Sequence, residues 1–356
     1  MKKIFLSIIF FLFFFIAIII SYLSIIGYET KRFNSILEKK ISSSTSNIKV
    51  DLNKIKIKVD IKKFSFFITT LKPSILYHNN KVDLNKINAY IDFKSLIIGK
   101  PKIKNVHIVS NEISITRIKN VVKYFKPSNF KKFFLNNAQR GSINFILDLS
   151  LKDNKIFNYE INGKVKNFYT DVQNMNLKKA SFIYSIKENS GEANNIRGLI
   201  NGFQINSGII EFDNSDSLKI KGNLKSNFNL RKEEANNLYK KKIFEIFENF
   251  NVNGKIQSVF AINFDKTLKV DDYKLEASGD VKNSIIKFKK PKKYIFVKNQ
   301  IQDLDFKNTE FKINYNKEKN KTFRTNGFYK INNNKFQKFD LNYSLNSNLQ
   351  RLLING

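Results

Sequence analysis

The sequence predicts a mainly β fold: an N-terminal transmembrane helix, then an elongated, curled antiparallel β-sheet with an apolar groove face and two short helical interruptions. Three observations carry this. Ile4–Ile26 is an uncharged apolar run of 23 residues preceded by Lys2 and Lys3. From Ile48 the spacing of apolar residues changes from about 3.6 to 2, the repeat of a strand with one apolar face. The alternating runs then follow one another through polar turns without crossover helices, which favours a meander over a doubly wound parallel sheet.

The first run sets the frame. A hydrocarbon core about 30 Å thick needs about 20 apolar residues at roughly 1.5 Å each, so residues 4–26 are long enough to span it. A cleaved secretory signal would have a shorter apolar region ending in small residues, and Ser24-Ile25-Ile26-Gly27-Tyr28 is a poor cleavage site. Residues 1–3 then form a short cytoplasmic head, with Lys2 and Lys3 on the positive side.

Residues 27–47 read as a juxtamembrane helix and a linker. Phe33, Ile36, Leu37 and Ile41 fall near helical spacing within Tyr28–Ile41, and the Ser/Thr run 42–46 breaks the pattern. Residues 48–230 read as a β region. Ile55, Ile57, Val59 and Ile61 alternate with Lys56, Lys58, Asp60 and Lys62. Phe64, Phe66 and Ile68 resume one residue out of step, which predicts a bulge at Lys62–Lys63. Ile87, Ala89, Ile91 and Phe93 form the next run, and Ile103, Val106, Ile108, Ile113 and Ile115 follow.

A helical insert is expected at about residues 120–137. Pro127 should end one short helix, and Ser128 or Asn129 could cap the next. Beyond Gly141, Ile143, Phe145, Leu147, Leu149 and Leu151 share one face of a strand, opposite Asn144, Ile146, Asp148 and Ser150. Phe157 to Val165, Phe182 with Tyr184 and Ile186, and the pairs Phe203/Ile205, Ile210/Phe212 and Leu218/Ile220 continue the alternation. Residues 231–250 are expected to be one amphipathic helix. Ala235, Tyr239, Ile243, Ile246 and Phe250 form its stripe, and Glu233 and Glu234 sit in its first turn. Residues 251–356 return to strands, including a short one at Tyr294–Val297. The pattern runs unchanged to Leu353-Ile354-Asn355-Gly356, which predicts that the sequence is an N-terminal piece of a longer chain.

Composition narrows the function. The net charge is +33, from 63 basic and 30 acidic residues. Only seven of the basic residues are Arg, the residue best suited to reading bases and phosphates, and the lysines are spread along the strands rather than gathered. We therefore expect no nucleic-acid partner; a positive surface suits anionic lipid headgroups better. With no Cys there is no thiolate chemistry, disulfide or cysteine metal site. His78 and His107 lack further ligands at metal spacing, so no metal and no cofactor are expected. Glu233-Glu234, Asp271-Asp272 and the pair Asp303/Asp305 are explained by a helix start and by turns. No G-x-S-x-G, P-loop or G-x-G-x-x-G is present, and no enzyme activity is expected. Asn320-Lys321-Thr322 and Asn342-Tyr343-Ser344 match the glycosylation sequon, which carries little weight in so Asn-rich a chain.

One stretch resembles a known family. Asp92-Phe93-Lys94-Ser95-Leu96-Ile97-Ile98-Gly99-Lys100-Pro101-Lys102-Ile103 is similar to the strand, Ser-Leu, small turn, basic, Ile element of AsmA-like proteins. Val106-His107-Ile108 and Ile113-Ser114-Ile115 are similar to the strands that follow it there. The resemblance covers residues 1–120, and the remainder matches only in style, most like the large YhdP- and TamB-type bridge-like lipid transfer proteins. It implies an anchor in the bacterial inner membrane, a periplasmic β-groove, and movement of phospholipid between the inner and outer membranes. It also leaves room for a protein partner in either membrane. At 356 residues the chain is short for that family's large members, which implies a portion of one or a small member with a different task.

The residues expected to line the groove and touch acyl chains are Ile55, Ile57, Val59, Ile61, Ile87, Ile91, Phe93, Ile143, Phe145, Leu147, Leu149, Phe182 and Tyr184. A buried methylene is worth about 0.8 kcal/mol, so a ~16-carbon chain loses on the order of 12 kcal/mol on entering water. An apolar trough removes most of that barrier. The alternative is a membrane-anchored envelope assembly or scaffold protein with an ordinary packed β core and no lipid transport.

Overall fold

A computed structural model describes residues 2–31, 34–35, 38–39, 48–61, 65–92, 94–95, 98, 102–152, 155–172, 175–239, 242–267, 269–293, 299–317, 321–346 and 349–355. The chain is mainly β: twenty strands are joined by antiparallel pairing, with few helices among the described residues. It divides into two compact units, residues 1–136 with 142–163, and residues 137–141 with 164–356.

The first unit opens with α1 (Lys2–Ile25), whose described side chains are almost all exposed. Among the residues whose side chains are described, which in α1 are Ser7 and Ile9 onward, no helix is long and apolar enough to cross a membrane. The chain then turns at Gly27 (φ 78°) into β1 (Tyr28–Thr30), which pairs with β3 (Lys54–Asp60). This corrects the expected helical extension at its start. Residues 34, 35, 38 and 39 are helical, whereas Phe33, Ile36, Leu37, Ile41 and the Ser/Thr run lie outside the described residues.

The unit continues with β2 (Ile48–Asp51), β4 (Ser65–Leu71), β5 (Ser74–Tyr77) and β6 (Asn80–Ile91). β3 ends at Asp60, opposite Ser65, and the bulge expected at Lys62–Lys63 lies outside the described residues. β6 is shared: its first part pairs with β5, which also pairs with β2, and its last part pairs with β4. β7 (Ile103–Ser110) pairs with β6 and with β9 (Ala138–Lys152); β8 (Ile113–Ser114) also pairs with β9.

The helical insert forms α2 (Ile115–Val122) and α3 (Asn129–Asn137), separated by Pro127. Ser114 Oγ accepts from Arg117 N–H at 3.3 Å, and Ser128 Oγ from Lys131 N–H at 3.1 Å, so a serine caps the first turn of each. Ile115 therefore begins a helix rather than ending a strand.

β10 (Lys155–Val172) follows β9. The second unit is a meander of β11 (Met175–Ile186), β12 (Ser190–Ile200), β13 (Phe203–Asp213), β14 (Lys219–Arg231), β15 (Phe247–Phe264), β16 (Val270–Lys292), β17 (Ile301–Asn316), β18 (Lys321–Ile331), β19 (Gln337–Asn346) and β20 (Leu349–Asn355). From β11 on, each strand pairs with the next in sequence. The expected strand Tyr294–Val297 lies outside the described residues.

The expected helix 231–250 is shorter than its spacing implied. It is α4 (Lys232–Tyr239) and a single 3₁₀ segment, Lys242–Ile246, after which Phe247 and Phe250 already belong to β15. They pair with Phe288 and Ile286, and a bulge between Phe247 and Asn249 puts both on one face of the strand. A bulge converts a spacing of two into three, which the periodicity could not separate from a helix.

Candidate functional site

In the first unit the registers place the alternating residues in rows across one face. Val59, Phe66, Ile91 and Ile103 are successive partners on β3, β4, β6 and β7. Ile57, Ile68, Ala89, Val106 and Leu149 form the next row, reaching β9. Ile55, Thr70, Ile87, Ile108 and Leu147 form the third. Ile143 and Phe145 continue in step along β9, and Ile143 faces Ile113 of β8. Apart from Ile103 these side chains are half-buried or buried, Ile55 at 1% exposure.

The opposite face carries the charges together with some apolar side chains: Phe67 stacks on Tyr90 at 5.1 Å, Val109 faces Ile146, and Thr69 and Asn88 are buried. Lys56 and Lys58 lie beside Thr69 and Phe67. His107 and Asp148, cross-strand partners, meet at 2.6 Å between Nδ1 and Oδ1. His78 stacks on Tyr124, with ring centres 4.3 Å apart.

The second unit repeats the arrangement. Tyr184, Ala193, Ile210, Gly222, Phe260, Leu275 and Tyr315 form one row from β11 to β17. Another runs through Ile205, Ser226, Ile256, Gly279, Phe311, Thr325, Leu341 and Ile354. Small residues recur on this face, and a neighbour's side chain lies over several of them. Phe260 covers Gly222, Phe212 covers Gly191, and Leu224 covers Gly208. Phe228 reaches over Gly254 and Phe311 over Gly279, so their rings approach to 6.3 Å although two strands separate β14 from β17.

The charges lie on the other side. Lys219, Lys221 and Lys225 alternate with Ile220, Gly222 and Leu224 and are exposed. At one end of the apolar face Phe244 of the 3₁₀ segment packs on Phe250 (4.8 Å) and Phe247 (6.0 Å), which in turn meets Phe288 at 4.9 Å. At the other end Tyr273 and Tyr315 share a hydroxyl hydrogen bond of 3.1 Å, and Lys321 Nζ lies 4.7 Å from the Tyr315 ring centre. That bond and the lysine lower the Tyr315 pKa, whereas the same bond raises that of Tyr273.

Of the residues expected to line a groove, Ile55, Ile57, Val59, Ile87, Ile91, Leu147, Leu149, Ile143 and Phe145 come together on one face. Ile61 does not: it lies past the end of β3 in a turn, 49% exposed. Phe93 lies outside the described residues. Tyr184 is buried on the apolar face of the second unit, where desolvation pushes its phenol up to about 12. Phe182 sits in a bulge beside it, between Ser181 and Ile183.

Sequence reasoning missed most of the second face, including Phe228, Phe260, Leu275 and Phe311. The signal was the alternation in β14, Ile220 to Phe228, interrupted in step by Gly222 and Ser226. An open cavity of about 910 Å³ in this unit lies off the apolar rows. It is lined largely by polar-face side chains such as Lys178, Gln204, Asn227 and Arg231.

No family model matches the chain, and no solved structure matches it. The chain is similar, at 26% identity over 289 residues, to a protein of Buchnera aphidicola subsp. Schizaphis graminum described as an uncharacterized protein. The match covers 70% of this chain and 29% of that one, so the chain spans less than a third of its relative's length.

Proposed function

We propose that this chain is a membrane-anchored lipid conduit whose apolar sheet faces carry phospholipid acyl chains between the inner and outer membranes of a bacterial envelope. α1 is the single inner-membrane span, and the strands lie in the periplasm. The observation that carries the reading is the register: apolar residues from successive strands fall in step on one face, and charged residues fall on the other. An acyl chain laid against such a face trades water for Ile, Leu, Val and Phe while its headgroup stays with the solvent. The uncharged stretch Ile4–Ile25 within α1 supports the anchor, because a helix apolar on all sides needs an apolar surrounding. No bond is made or broken in this task, and the resemblance to AsmA-like proteins points the same way.

A photo-crosslinking amino acid tests the reading directly. Placed at Ile57, Ile91 or Phe145 in membranes, it should capture phospholipid; at Lys56 or Asn144, on the opposite face, it should not. Equal capture from both faces, or from neither, sinks the proposal.

A further inference from the structure

We propose that one end of the first unit's sheet is a second membrane contact, a rim that rests on the surface of an anionic phospholipid bilayer. The inference rests on the reading of α1 as a membrane span. The end of α1 is fastened to a particular end of the sheet: Lys58 Nζ donates to the Ile25 carbonyl at 3.0 Å, and Tyr28 pairs with Ile57. A Cβ on Gly27 would lie 2.8 Å from the Lys58 side chain, so helix and strand are in close approach there.

The registers identify what else lies at that end. Asp60 faces Ser65, Phe66 faces Ile91, Asp92 N–H donates to the Lys102 carbonyl at 3.0 Å, and Asn105 faces Ser150. The ends of β3, β6 and β9 and the starts of β4, β7 and β10 therefore all lie on the side where α1 ends. The described residues at that end include large exposed apolar side chains: Ile61 just past β3 at 49% exposure, Ile98 between β6 and β7 at 73%, and Ile156 and Phe157 at the start of β10 at 61% and 71%. Lys94, Lys102, Lys152 and Lys155 are exposed among them, against Asp60 and Asp92.

The opposite end of the same sheet is built differently. Pro73, Leu84 and Ile113 are almost fully buried there. The exposed rings of Tyr124 and Phe125 are engaged with Tyr77 and His78, and the further exposed apolar side chains in that row of the sheet, Leu71 at 41% and Ile146 at 40%, are less exposed than those of the α1 end.

Apolar tips interspersed with lysines are the chemistry of an interfacial contact, in which the tips enter the acyl boundary and the ammonium groups meet headgroup phosphates. The occupant follows from position. A bilayer holding α1 begins where α1 ends, and that is the level of these strand ends.

The chain has no cysteine, so single-cysteine variants can be labelled without background. The full chain in nanodiscs of phosphatidylethanolamine and phosphatidylglycerol, doped with doxyl-labelled lipid, would carry an NBD label at Ile98→Cys, Phe157→Cys, Phe14→Cys or Asn111→Cys. Strong quenching is expected at 14, 98 and 157 and little at 111, with the rim signals reduced when phosphatidylglycerol is omitted. Quenching at 14 without quenching at 98 and 157 overturns the rim and leaves the span intact. No quenching at 14 overturns the span, and the rim with it. Equal quenching at 111 overturns the rim, because the unit would then lie along the membrane. A blue shift at 98 and 157 without quenching identifies a protein contact and also overturns it.

Discussion

Thr70 sits in the middle of the first unit's apolar face, between Ile55 and Ile87, at 4% exposure. Its Oγ1 has no hydrogen-bond partner among the described residues. A buried hydroxyl left unpaired costs about 1–3 kcal/mol, whereas an isosteric methyl costs nothing of the kind. Thr70→Val should raise stability by about 1 kcal/mol, read as a higher urea midpoint with an unchanged slope. A drop in the midpoint would mean that the hydroxyl has a partner. In the opposite direction, Ile55→Ala removes buried volume at 1% exposure and should cost about 3 kcal/mol. Single residues of this kind are legible in β3 and β9, where every second position is large and apolar, and in β6 from Ile87 to Ile91, where only Ala89 is small. Thr70 is not, because its polarity hides its place in the row.

Bulges and glycines shape the individual strands of the second unit. Asn308 has φ 49°, and around it Phe306 and Thr309, three apart, face the same side. Ile205 and Gly208 do the same across the irregularity in β13. An alternation of period two breaks at each of these points, so the sequence marks the long strands only in fragments. The three-residue spacing of Phe247 and Phe250 imitates a helix for the same reason. The glycines hide the face in a second way, since the area each leaves bare is covered by a ring or branched chain from the adjacent strand. The two kinds of glycine should respond differently to a methyl group. At Gly222 the obstacle is the Phe260 ring, which can rotate; at Gly254 it is the Asp280 backbone carbonyl, which cannot. Gly254→Ala should destabilise by about 3 kcal/mol and Gly222→Ala by about 1 kcal/mol, the two ends of the range for overpacking. Chemical denaturation of the two variants side by side checks the order.

Charge is a property of the whole molecule. With 63 basic and 30 acidic residues, the polar faces are dense in lysine and self-repulsion opposes the folded state. Exposed ion pairs such as Lys274–Glu276 and Lys287–Glu248 offset little of it. Salt shortens the range of that repulsion to about 8 Å at physiological strength and about 3 Å at 1 M. Stability should therefore rise between 50 mM and 500 mM sodium chloride, measured as the urea midpoint, where a chain of balanced charge would change little. A fall would show that attractive pairs dominate. The fold class was legible at this scale from the change of apolar period at Ile48 and the lack of crossover helices. The sharing of β6 between two partners was not, because a strand that changes neighbours midway keeps the same alternation throughout.

The meander of the second unit also behaves as a ruler. From β12 to β19 every strand bonds to the strand before it and the strand after it in sequence. Inserting or deleting one hairpin within the series changes the width of the apolar surface by about 10 Å, two strand spacings, and leaves the direction and register of all other pairs intact. Its span can therefore drift through evolution in steps of two strands, with no compensating change elsewhere in the ladder.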